Sequence, residues 1–67
     1  MIVLNGERTE VAAGATVTAM LARLGLSADT RGVAVAVDGE VVPRGAWETF
    51  ALAEDARVEV LSAMQGG

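Results

Sequence analysis

The residue types able to do chemistry are few in this chain, and the missing ones narrow the reading first. It has no histidine and no cysteine. A Ser-His-Asp or Cys-His arrangement therefore cannot be built, nor can the usual zinc site. Ser27 and Ser62 lack a base of that kind. Glu54 and Asp55 are adjacent carboxylates, but separating their pKa values into an acid and a base needs an enclosed pocket. A chain of 67 residues hardly provides one. Such a pair in an alanine-flanked loop reads as a solvated turn. These residues predict a protein that is not an enzyme, with no catalytic residues, no metal and no bound cofactor of its own.

What remains is the ending, "LSAMQGG". Glycine costs the most conformational entropy to hold still and offers nothing to pack. Order is also hardest to keep at a terminus. Gly66 and Gly67 are thus either incidental fraying or a tail shaped for a place no side chain can enter. In the second reading the reactive group is the terminal carboxylate of Gly67, and Gly66 gives it access. A carboxylate is a poor electrophile, but joined to AMP it becomes a mixed anhydride from which a nucleophile displaces the nucleotide. A sulfur nucleophile leaves a thiocarboxylate, a portable form of reduced sulfur. Met64, apolar and adaptable, suits a hydrophobic contact as the tail enters a partner.

Composition bounds the partners. The formal charge is −4, from 9 acidic and 5 basic residues. That balance opposes nucleic acid, which is bound by clustered Lys and Arg, and opposes an anionic membrane surface. No apolar run is long enough to span a bilayer, and "MIVLNG" lacks the basic start of a signal peptide. The expected location is the cytoplasm. The hydrophobic share, 52%, supports an unaided core in one small domain.

The elements that must position the tail follow from periodicity. Ile2, Val3 and Leu4 form an apolar run, Asn5-Gly6 is a two-residue hairpin turn, and a second strand runs on to Val11. Val17, Met20, Leu21 and Leu24 make one helical stripe, with Thr16 as N-cap and Gly25 as the residue after the C-cap. This predicts a helix over 17–24, followed by a loop at "SADTRG". Val33, Val35 and Val37 alternate with Ala34 and Ala36, and Asp38-Gly39 turns the chain into Glu40-Val41-Val42. Pro43 stops that strand or marks it as an edge. Trp47 and Phe50 lie in a connector and are expected under the sheet. "RVEVLS" is the last strand. One short helix on a four- to five-stranded sheet gives two layers. The economical arrangement sets the last strand parallel to the first in mid-sheet. That is an α+β fold, the ubiquitin-like β-grasp, forming a single domain over 1–67 with 63–67 as a flexible Gly-Gly tail. The sheet face opposite the helix is the expected partner surface, with Ala34, Ala36 and Leu61 as flat apolar contributors.

The opening "NG" hairpin, the "TVTAMLARLGL" helix, "VAVAVDGEVVPRGAW" and the ending "ARVEVLSAMQGG" resemble the ThiS family, the bacterial sulfur carrier proteins of thiamine biosynthesis. The likeness covers essentially the whole chain. Its most specific part is Pro43-Arg44 with Trp47 three residues on. The related small subunit of molybdopterin synthase shares the fold and the Gly-Gly end but usually lacks this feature. The resemblance implies that an adenylating enzyme of the ubiquitin-activating type uses ATP to adenylate Gly67. A persulfide sulfur donor system then forms the thiocarboxylate, and thiazole synthase takes the sulfur into the thiazole ring. One departure stands out: family members typically carry an acidic-Gly-Asp turn before the last strand, where this chain has Glu54-Asp55-Ala56. Three alternatives remain: a carrier for molybdopterin or another sulfur pathway, a ubiquitin-like protein modifier, and an interaction module with a frayed end.

Overall fold

The computed structural model describes residues 1–26 and 32–62. Residues 27–31 of the expected loop over 27–32, and the expected tail over 63–67, lie outside the described residues. The described elements are β1 (Ile2–Leu4), β2 (Glu7–Thr9), α1 (Val17–Arg23), β3 (Val33–Val37), β4 (Glu40–Val42), a 3-10 turn (Arg44–Ala46) and β5 (Arg57–Ser62). The strands form a five-stranded mixed sheet in the order β2-β1-β5-β3-β4. β5 runs parallel to β1 and antiparallel to β3, so the last strand lies in mid-sheet as the β-grasp arrangement requires.

Both hairpins turn through two residues with positive φ, Asn5 at 50° and Gly6 at 86°, Asp38 at 51° and Gly39 at 87°. This is the type I′ geometry whose twist matches that of paired strands. In β3 the valines are buried and Ala34 and Ala36 face the other side, where Ala34 is exposed and Ala36 half-buried. Val35 pairs with Val60 of β5 and Val42 of β4, and Val37 pairs with Val58. The second strand ends at Thr9, short of the expected Val11, which packs half-buried against the core instead.

The helix is seven residues long. Thr16 caps it as expected, its hydroxyl accepting from the Ala19 amide at 3.2 Å. At the other end the Leu26 amide donates to the Leu21 carbonyl at 2.9 Å and Gly25 to Ala22 at 3.0 Å, a Schellman closure with Gly25 at φ 80°. Leu24 is therefore the C-cap and not a core residue. Val17, Met20 and Leu21 are buried, whereas Leu24 is 43% exposed, because the helix ends before the stripe completes another turn over the sheet.

A helix of two turns has little stability of its own. The connector after β4 supplies what it lacks. The Phe50 carbonyl accepts from the Val17 amide, and the Trp47 carbonyl from the Thr18 amide, both at 3.1 Å. Leu52 donates to the Ala15 carbonyl at 2.8 Å. Trp47 itself is buried, with its indole Nε1 donating to the Val42 carbonyl at 2.9 Å. The Arg44 guanidinium lies 4.5 Å over the ring centroid, so this arginine stacks on the indole. The spacing Pro43-Arg44-x-x-Trp47 thus ends the edge strand, turns the chain back and plugs the core with an indole. Burying such a ring contributes on the order of 4–5 kcal/mol as an upper estimate. Phe50 departs from expectation. It is 38% exposed, because its carbonyl is committed to the helix while its ring is left at the rim.

Trp47→Phe keeps most of the apolar volume but strands the Val42 carbonyl. The expected loss is about 1–2 kcal/mol of unfolding free energy, read by urea denaturation.

Candidate functional site

Strand β5 is the last described element before Gly66 and Gly67 in the sequence, and its placement is built from two directions. On the β3 side its register runs from Val37 opposite Val58 to Val33 opposite Ser62. At its start the Asp38 amide donates to the Arg57 carbonyl at 2.7 Å, and the Asp38 carboxylate accepts from the Arg57 amide at 3.0 Å. On the β1 side the Val3 amide donates to the Ala56 carbonyl and the Asn5 amide to the Val58 carbonyl, each at 2.8 Å. Beyond that point the Asn5 side chain takes over. Its Oδ1 accepts from the Val60 amide at 2.9 Å and its Nδ2 donates to the Val60 carbonyl at 3.2 Å. Turn chemistry explains why Asn and Asp stand at positive φ in these hairpins. Only the fold reveals that both side chains also secure the central strand.

The sheet face away from the helix carries the three apolar residues singled out in the sequence. Ala34 and Leu61 are cross-strand partners, and Ala36 pairs with Glu59 on one side and Val41 on the other. Leu61 is 67% exposed and Val41 75%. Sequence reasoning missed Val41. The signal was present in the Asp38-Gly39 turn, which fixes Val41 opposite Ala36 and so turns it outward with Val42 inward. Ala34, Ala36, Val41 and Leu61 form one apolar strip across β5, β3 and β4, with Glu59 beside it.

Lower on the sheet, Val3, Gly6, Asp38, Gly39, Arg57, Val58 and Glu59 line an open depression of about 480 Å³. Its Asp38 carboxylate is already engaged with the backbone of β5. Among the described residues no group of His, Cys, Asp or Glu could hold a metal ion, and no helix is long and apolar enough to cross a membrane. Glu54 and Asp55 sit exposed in the turn before β5. Glu54 accepts from the Met1 amino group at 3.1 Å, and the Asp55 amide donates to the Met1 carbonyl at 2.8 Å. Asp55 has φ 63°, the left-handed conformation that glycine adopts without strain. Gly67, Gly66 and Met64 lie outside the described residues, which end at Ser62.

Comparison with known proteins gives a consistent result. A model of the ThiS family matches residues 2–67. The crystal structure of the thiamine biosynthesis protein ThiS from Geobacter metallireducens is similar at a TM-score of 0.80 and 32% identity, over 98% of this chain and 97% of that one. A solution structure of a thiamine biosynthesis protein from the same organism is similar at 0.77 and 29% identity, over 98% of this chain and 86% of that one. Among curated proteins, thiazole synthase from Paramagnetospirillum magneticum is 35% identical over 66 residues, 98% of this chain. The chain spans 20% of that relative's length.

Asp55→Gly removes a left-handed penalty of roughly 1 kcal/mol but loosens the unfolded chain by about 0.4–1 kcal/mol. The two nearly cancel, so stability should rise by no more than about 0.5 kcal/mol. Asp55→Val, β-branched at the same φ, should cost more than about 1 kcal/mol in the same denaturation experiment.

Proposed function

The chain belongs to the ThiS family, the sulfur carriers of thiamine biosynthesis, and on that footing we propose that Gly67 carries the sulfur as a terminal thiocarboxylate. An adenylating enzyme joins the Gly67 carboxylate to the AMP moiety of ATP, releasing pyrophosphate. A persulfide sulfur donor system then attacks the acyl carbon, AMP leaves, and reductive cleavage of the resulting acyl disulfide by a thiol yields the thiocarboxylate. Thiazole synthase takes that sulfur into the thiazole ring. The chain acts as a carrier and co-substrate, not as an enzyme, and works in the cytoplasm with no bound cofactor, ATP being consumed by its partner.

The observation that carries this reading is the position of β5. A reactive tail leaving an edge strand would swing with the edge. This one follows a strand paired on both sides in mid-sheet, beside an exposed apolar strip. Gly66 gives the narrow backbone that a partner's active-site channel admits, and Met64 an apolar contact at its mouth. Ordering the tail opposes docking, so affinity must come from the body. Leu61, Ala34 and Ala36, with Val41, supply that contact. The name of the Paramagnetospirillum relative supports thiazole synthase as the acceptor, because a protein so named contains a segment like this chain.

A bacterial strain deleted for its own thiamine sulfur carrier provides the test. The whole chain should restore growth without thiamine, and a chain ending at Gln65 should not. Equal growth with the truncated chain would overturn the proposal in favour of an interaction module. Restoration of a molybdopterin-dependent activity instead would redirect the sulfur. Heavier conjugates lost on truncation would indicate a modifier. Leu61→Asp should leave stability within about 0.5 kcal/mol of the parent. It should nevertheless lower kcat/KM for adenylation roughly tenfold, as expected for a truncated apolar contact at an interface.

A further inference from the structure

β1 ends at Leu4, where its chain turns off through Asn5-Gly6, yet β5 continues to Ser62. On the β1 side the backbone ladder stops at the Val58 carbonyl, which takes the Asn5 amide. The next polar groups on that edge are the N–H and C=O of Val60. Both are met by one side chain: Oδ1 of Asn5 accepts from the N–H at 2.9 Å, and Nδ2 donates to the C=O at 3.2 Å. The carboxamide presents a donor and an acceptor side by side, as a peptide group does, and it stands where the next peptide of β1 would have been. The residue it holds is 55 positions away in sequence and two before the last described one.

We infer that Asn5 is a positioning residue for the carrier reaction: its side-chain amide prolongs the β1 edge to hold Val60, and so fixes the root from which the reactive tail departs. The inference rests on the sulfur-carrier reading and deepens it. The residue type fits the task closely. Glycine would keep the turn but offer no clamp. Aspartate would still accept from the Val60 N–H but would set a carboxylate oxygen against its carbonyl. Asparagine alone of the three tolerates φ 50° and matches both groups. Without the clamp, the backbone of Val60 to Ser62 is paired, among the described residues, through β3 alone, and whatever frays there must be ordered again when the tail docks. Re-ordering one residue slows productive docking roughly five- to tenfold.

Asn5→Gly is the main test, with two readouts. Amide exchange should become at least tenfold faster at Val60, while Val35 and Met20 keep their relative protection. With an adenylating enzyme that converts the parent chain, KM should rise roughly five- to tenfold and kcat stay within twofold, because the lost order is restored on docking. Asn5→Asp, retaining one of the two bonds, should fall between parent and glycine variant in both readouts. Trp47→Phe, weakened elsewhere in the fold, should keep the parent KM and so separates positioning from general destabilisation. Unchanged exchange at Val60 would overturn the clamp. Faster exchange with an unchanged KM would overturn the positioning role. Failure of the parent chain itself to be adenylated would overturn the carrier reading and the positioning role with it, while exchange would still report whether Asn5 holds Val60.

Discussion

Strand β5 has two edges to satisfy and neighbours that do not run its full length. A strand in mid-sheet cannot leave its N–H and C=O groups to water as an edge strand can. β3 turns away at Asp38 just where β5 begins, and β1 turns away at Asn5 before β5 ends. In each case the first residue of the turn reaches across and completes the ladder, Asp38 at Arg57 and Asn5 at Val60. One residue thus does two jobs, taking the positive φ that a type I′ turn demands and supplying the polar atoms that the strand lacks. Hairpins paired over three positions have little stability alone. Tied to β5 at opposite ends, they become parts of one sheet.

The second layer depends on a similar loan. Helix α1 is too short to stand unaided, and its first amides are taken by carbonyls of the Trp47–Phe50 segment. Trp47 links that segment to β4 through its indole N–H and to the core through its ring, and Arg44 covers it. The Pro-Arg-x-x-Trp pattern is therefore structural, and nothing about it needs a ligand. In the proposed carrier reaction the chemistry is left to the tail, with the body as the surface that a partner grips.

Much of this was readable in the residues because it is local. Alternation in "VAVAV" told inside from outside, two turn dipeptides set both hairpins, and Thr16 announced the helix start. The failures have a common cause. Leu24 and Phe50 have the right type for the core and end up at its rim, because where a helix stops over a sheet depends on packing partners distant in sequence. Val41 escaped notice although its register was implied, since a valine beside a buried valine reads as core. The second roles of Asn5 and Asp38 involve partners 55 and 19 residues away, beyond any periodicity. For Gly67 the reading rests on chemistry: a carboxylate at the end of two glycines can be activated and carried into another protein's site.

That claim is tested most directly by intact-protein mass spectrometry after incubation with ATP, a cognate adenylating enzyme and a sulfide source. A product heavier by the difference between sulfur and oxygen, with the change localised to Gly67, is the predicted result. An unchanged mass, while a known carrier is converted by the same enzyme in the same mixture, would contradict it.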